Sequence, residues 1–334
     1  MSATADTPSV IARTAPVETG AAVIGVHFLG DTAIFVLAEE TLVLVAPDSA
    51  PMRIDAHAGG ILSSAADGQR VVTGGDDGKV MALDAKGESS LIATDAKKRW
   101  IDHVALGPDG AVAWSAGKTA YVRPSKGEDR SLDVPSTVGG LDFAPKGFRL
   151  AVAHYNGCSL WFPNAQAKPE VLEWKGSHLG CVFSPDGKFL ISSMQEPMLH
   201  GWRLVDGKHM RMSGYASRVR SLDWLSNGAF LVTSGAAELI LWPFQSKDGP
   251  MGKQPQMLAP LEAGVTVVAC HPAQDVVATG YGDGTILIVR IGDAAEILAR
   301  APTAEPVSAL SWNKSGALLA FGTEDGSAGI IDLR

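Results

Sequence analysis

An all-β chain made of one small unit repeated along its length is what this sequence predicts, and three observations carry the reading. Turn signals recur at Gly30, Gly68, Gly110, Gly147, Gly187, Gly228, Gln274 and Gly316, with separations of 38, 42, 37, 40, 41, 46 and 42 residues. The segments between them are short apolar runs, several strictly alternating, and none sustains the 3.6-residue period of a helix. Glycine is abundant, 37 of 334 residues, as a chain with many tight turns requires. A period of about 41 residues holds four short strands and their turns, the size of one blade of a β-propeller.

The sixth unit shows how each repeat divides. "VRSLDW" (Val219–Trp224) alternates and reads as the inner strand, "LSNG" turns, and "AFLVTS" is the second strand. "GAAE" turns again, "LILWPF" (Leu239–Phe244) is the third strand, and "QMLAPL" the fourth, where a proline suits an outer edge. The phrase "SPDG" and its variants close the first hairpin, because Pro presets φ and Asp and Gly suit the later turn positions. Counted this way, the chain predicts a single domain over 1–334, an eight-bladed β-propeller of four-stranded antiparallel blades. Seven blades is the alternative if the first unit (21–45) is irregular. The eighth unit ends at "AGIIDLR" without an outer strand. "PSVIART", residues 8–14, is expected to supply it and so close the open edge.

The turn before the third strand carries a family resemblance. Asp-Gly recurs there in "GGDDGKVMALD" (Asp77), "GYGDGTILIVRI" (Asp283) and "GTEDGSAGIIDL" (Asp325), and a Trp follows on the third strand as Trp161, Trp202 and Trp242. In these features the chain resembles the WD40-repeat β-propeller family, in a degenerate form. No unit ends in Trp-Asp, and the Gly-His that precedes the inner strand is approached only by "GSH" (Gly176–His178). The resemblance implies structural turn roles for Asp77, Asp283 and Asp325, with the family's Asp–His–Ser–Trp hydrogen-bond network incomplete in every unit. It also implies a rigid platform that binds proteins or peptides.

Composition narrows the partners. The formal charge is −8, so a basic face for nucleic acid is not expected. No run of about 18 apolar residues exists, so no membrane span is expected. The start, "MSATADTPSV", lacks the basic and apolar regions of a signal peptide, and Cys158, Cys181 and Cys270 each sit in an apolar run as buried thiols. A cytoplasmic monomer with no cofactor and a protein or peptide partner is the expectation.

In a propeller, second-to-third-strand turns and outer-to-inner connections share one face. The residues expected there are Lys97, Lys98, Arg99 and Trp100, then His154, Tyr155 and Asn156, His178 with Met194, Gln195 and Glu196, then Tyr215, Arg218 and Arg220, and finally Tyr281. Aromatic and Arg side chains dominate interface hot spots. The predicted partner-binding set is therefore Arg99, Trp100, Tyr155, His178, Glu196, Tyr215, Arg218, Arg220 and Tyr281. The insert 245–257, rich in Gly, Pro, Lys and Gln, reads as a solvated loop.

Catalytic motifs are sparse. "GGDDGKV" is one residue short of a phosphate loop and carries Val80 where Ser or Thr belongs. The alternating acidic ligands of a calcium loop are missing. The eight histidines show no metal-binding spacing, and no GxSxG elbow exists. The alternative to a scaffold is a lactonase-like hydrolase with a metal in a central channel, for which His103, His154 and Glu196 are the candidate ligands.

Overall fold

The computed structural model describes residues 7–334 and contains strands, turns and two single-turn 3-10 helices. Among the described residues no helix is long and apolar enough to cross a membrane. Every sheet is antiparallel, and consecutive strands are neighbours in each, save that one sheet takes its outer strand from the N-terminal segment. Loop lengths of a few residues allow nothing else, because a parallel partner needs a long crossover. The inner strands of the four-stranded sheets are Val23–Leu29, Ile61–Ala66, His103–Leu106, Leu222–Trp224, Val265–Cys270 and Val307–Trp312.

The hydrogen-bonded strands form seven sheets, six of four strands and one of six, which corrects the expectation of eight separate blades to the stated alternative of seven. The first unit is not the cause, since it forms a regular four-stranded sheet. The cause lies in the fourth and fifth repeats, which share the six-stranded sheet. Its strand Leu150–Trp161 reverses within itself at Asn156 and Gly157, both with positive φ (68° and 149°). His154 Nε2 therefore lies 2.9 Å from Ser159 Oγ. Five residues of straight strand would separate them by roughly 16 Å. The next strand, Glu170–Phe183, runs from the edge of the fourth repeat into the inner position of the fifth without a break.

The chain divides into two compact units. One comprises the N-terminal segment to Asp55 with Tyr215–Arg334, the other Ala56–Gly214. In the first unit, the sheet of Val307–Trp312 takes its fourth strand from the N-terminus, but that strand is Thr14–Glu18, paired with Ser327–Asp332. Residues 8–14 were expected in that place. Pro8 and Val10 instead bond to Leu298 on the outer strand of the neighbouring sheet, and Ser9 bridges it in parallel. The N-terminus is thus tied to two sheets in succession.

Neighbouring inner strands are stapled laterally within each unit. In the first unit, Cys270 N donates to Asp223 Oδ2 (2.8 Å), Val268 N to Ser221 Oγ (3.0 Å) and Thr266 Oγ1 to Val307 O (2.6 Å). In the second, Phe183 N donates to Asp142 Oδ2 (2.7 Å). Burial pushes the Asp142 carboxyl up to about 7. The inner strands that start at Val23, Ile61, Val265 and Val307 share one irregularity: the register slips at the second residue. The slip is a β-bulge, which leaves Ile24, Leu62, Thr266 and Ser308 out of the ladder and re-aims their side chains. Apolar clusters between adjacent sheets supply the rest of the core, for example Val232, Leu241, Val268, Val277, Tyr281 and Val289 in the first unit.

Candidate functional site: a double groove around Tyr155

The turn edge of each sheet is held by short polar networks, and these absorb several of the predicted contact residues. His57, fully buried, donates from Nδ1 to Asp77 Oδ1 (3.0 Å) and accepts at Nε2 from Thr73 Oγ1 (2.8 Å). Asp77 also accepts the N–H groups of Ala58 and Lys79, both at 3.0 Å. His154 repeats the pattern with Tyr155 O and Ser159 Oγ, and His178 with Trp174 O (2.9 Å) and Ser192 Oγ (2.7 Å). In each case one ring nitrogen faces an acceptor oxygen and the other a hydroxyl. Burial lowers the His178 imidazole below its ordinary value. In the sixth repeat a tyrosine takes the histidine's place. Trp242 Nε1 donates to the Tyr215 oxygen (2.7 Å), which bonds Thr233 Oγ1 (2.8 Å), and burial raises the Tyr215 phenol to about 12.

His178, Tyr215 and Tyr281 are therefore buried and do not present a contact surface, contrary to the sequence expectation. Tyr281 donates its hydroxyl to Ala259 O (2.6 Å), and burial pushes the phenol upward. Arg99 is half-buried and engaged: its guanidinium grips Asp95 (2.6 Å), Ala116 O (3.0 Å) and the Tyr121 hydroxyl (2.9 Å). The three turn aspartates accept backbone N–H groups two residues on: Lys79 for Asp77, Thr285 for Asp283 and Ser327 for Asp325. Sequence reading missed His57, Thr73, Ser192, Thr233 and Trp174. The spacing that ties the first four varies: His57 precedes Thr73 by 16 residues, His178 precedes Ser192 by 14 and Tyr215 precedes Thr233 by 18, so no fixed offset marks them in the sequence.

The residues left at the surface of the second unit are Trp100, Tyr155 and Glu196. Trp100 is 61% exposed and Tyr155 52%. Tyr155 sits at the tip of the Asn156–Gly157 reversal, whose position is set from both sides. Tyr155 N donates to Ser136 Oγ (2.7 Å), and Gly176 N donates to Asn156 Oδ1 (3.2 Å). Two open grooves flank the ring. One, of about 570 Å³, is lined by Tyr155, Trp174, Met194, Gln195, Glu196 and Met198 among others. The other, of about 670 Å³, is lined by Pro135, Ser136, Tyr155, Val171, Glu173 and Trp174 among others.

Trp174 is common to both grooves and is held from beneath. Its ring stacks on His200 with centroids 3.9 Å apart and planes 14° apart, and His209 lies against it at 4.8 Å. Neither ring nitrogen of His200 has a hydrogen-bond partner among the described residues. Burial, with His209, His178 and Arg211 nearby, pushes that imidazole down to about 3. A neutral, wholly buried His200 is thus an aromatic support for Trp174. The arrangement is a rigid aromatic ridge between two largely apolar troughs, suited to side chains of an extended segment.

Arg218 and Arg220 belong to the other unit, where they line a separate cavity of about 430 Å³. The proposed hydrolase set does not assemble: His154 is buried in its own network, whereas Glu196 is exposed on the groove. Among the described residues no group of three or more His, Cys, Asp or Glu side chains is placed to hold a metal ion.

Residues 268–334 match the family model of the anaphase-promoting complex subunit 4 WD40 domain. WD repeat-containing protein 55 from rat is 25% identical over 208 residues, covering 60% of this chain and 52% of the relative. The human protein of that name is 26% identical with the same coverage. The chain thus spans about half the length of the curated relatives it matches. The crystal structure of the computationally designed protein Ika8 superposes with a TM-score of 0.76 at 17% identity, covering 94% of this chain and 97% of that one.

Proposed function

Since the chain belongs to the WD40-repeat β-propeller family, whose members typically serve as protein-interaction scaffolds, we propose that it is a non-catalytic scaffold that binds a peptide segment of a protein partner across the Tyr155 ridge. One observation carries the reading. Tyr155 is a half-exposed aromatic on a backbone reversal pinned by Ser136 and Asn156, with a groove on each side. An exposed aromatic continuous with two grooves that share Trp174 forms the kind of contiguous patch that serves as an interaction site. A pre-fixed aromatic also loses little entropy on contact, which is how a stiff sheet scaffold gains affinity without catalysing anything.

Trp100 lies on the connection that packs over the Gly78 turn, and so on the same strand-end edge of its sheet as such reversals. It is proposed as a secondary contact. Peptide phage display on the immobilised full chain tests the proposal. Sequences enriched on the wild type should be lost on Tyr155→Ala, with affinity falling by about thirtyfold, the equivalent of about 2 kcal/mol for a hot-spot aromatic. Equal enrichment on both proteins would remove the ridge from the binding surface.

A further inference from the structure

We infer that the 430 Å³ cavity of the first unit is a binding site for a carboxylate-bearing ligand. Its walls are the starts of three adjacent inner strands, and they bring together Arg218, Arg220, Ser234, Thr266, Ser308 and Glu324. Thr266 and Ser308 are two of the bulge residues, so the irregularity that repeats along the inner strands is what turns these hydroxyls out of the ladder and into the cavity. Both already donate to neighbouring backbone carbonyls, Thr266 to Val307 O and Ser308 to Val23 O, which fixes the walls.

Two donors in the cavity are unspent. The Arg220 backbone is anchored, its N–H donating to Ser234 Oγ (3.3 Å), but its guanidinium has no hydrogen bond or ion pair among the described residues. Ser234 is buried to 1% exposure and accepts two N–H groups, from Arg220 and from Ser221 (3.0 Å). Its own O–H has no acceptor among the described residues. A buried hydroxyl with an idle proton and a planar guanidinium lining the same cavity offer a carboxylate two or three charge-assisted bonds.

Glu324 lines the same cavity and forms no ion pair with Arg220 among the described residues. It favours a ligand that also carries an N–H donor over one that is anionic throughout. The volume falls in the range of small-molecule sites. An amino acid and a glutamate side chain of a partner peptide both meet this description, and the test separates them.

Isothermal titration calorimetry on the full chain would use L-glutamate, succinate, succinamide and a terminally capped Ala-Glu-Ala peptide, against the wild type, Arg220→Gln, Arg220→Lys and Glu324→Gln. The carboxylates should bind and the neutral succinamide should not. Arg220→Gln should weaken binding by at least about tenfold, Arg220→Lys by less, and Glu324→Gln should erase the preference for glutamate over succinate. Binding of glutamate but not the capped peptide identifies a small-molecule site, and the reverse identifies a partner's side chain. The assignment is overturned if no carboxylate binds, if succinamide binds equally, or if Arg220→Gln leaves affinity unchanged while its thermal melt matches the wild type. None of these results bears on the Tyr155 ridge, which lies in the other unit.

Discussion

Alanine substitution of the three turn aspartates should give three different losses of stability, although all three occupy the same repeat position. Asp77→Ala removes the acceptor of the His57 Nδ1–H and of the Ala58 and Lys79 N–H groups. The two backbone donors can turn to water, but His57 is fully buried and would keep an unpaired N–H. A hydrogen bond to a charged group contributes roughly 1.5–3 kcal/mol, and orphaning a buried donor costs the upper end, so about 3 kcal/mol is expected. Asp325 accepts from Ser327 N (3.0 Å) and Ser327 Oγ (3.1 Å) at an exposed turn, and from Thr323 Oγ1. About 1–2 kcal/mol is expected there. Asp283 accepts one side-chain bond, from Thr285 N (3.0 Å), and about 0.5–1 kcal/mol is expected. Urea unfolding followed by tryptophan fluorescence reads all three, provided the slope of stability on urea is unchanged. Acid adds a check. Burial works to raise the Asp77 carboxyl, but the hydrogen bonds from His57, Ala58 and Lys79 outweigh it and hold the group below its usual range. A depressed carboxylate contributes above its unfolded value and loses that contribution as pH falls through the folded one, so the Asp77→Ala deficit should shrink in acid. Three equal losses, or Asp283 as the largest, would refute the reasoning.

Two further outcomes test the buried networks. Tyr215→Phe removes the oxygen between Trp242 Nε1 and Thr233 Oγ1 and leaves a buried indole N–H unpaired, so about 2 kcal/mol of stability should be lost in the same urea assay with the Tyr155 ridge still able to bind its peptides. Asp142→Asn retains an acceptor for the Phe183 N–H but cannot ionise. The wild-type carboxyl, raised to about 7, favours the fold fully below about pH 4 and loses that contribution as pH rises through 7. The urea midpoint of the Asn variant, measured from pH 4.5 to 8, should therefore fall less with rising pH than that of the wild type, and parallel profiles would contradict the buried carboxyl.

The repeat was legible because each blade is local. Four strands joined by tight turns pair with their sequence neighbours, so the turn chemistry at Gly110, Gly187 or Gly316 specifies a hairpin without help from the rest of the chain. The placement of the N-terminal strand on the last sheet was legible for a related reason, since a three-stranded unit leaves an edge to fill. Its register, at Thr14–Glu18, was set by where residues 8–10 could bond to Leu298, a contact 288 or more residues away in sequence.

What a turn residue faces was not legible. Tyr155 and Tyr215 both stand near strand ends beside small polar residues, yet one is at the surface and the other is a buried hydrogen-bond relay. Burial there depends on whether Thr233 and Trp242 lie opposite, and those partners arrive from other strands. Nothing in the sequence singles out Trp174, which lines two grooves and is held there by stacking on His200. Periodicity and turn chemistry act between neighbours in the chain and so determined the β-sheet repeat. Which aromatic rings reach solvent, which carboxylates staple strands, and where the fourth and fifth repeats fuse were decided by contacts between sheets. Those contacts exist only once the sheets have packed.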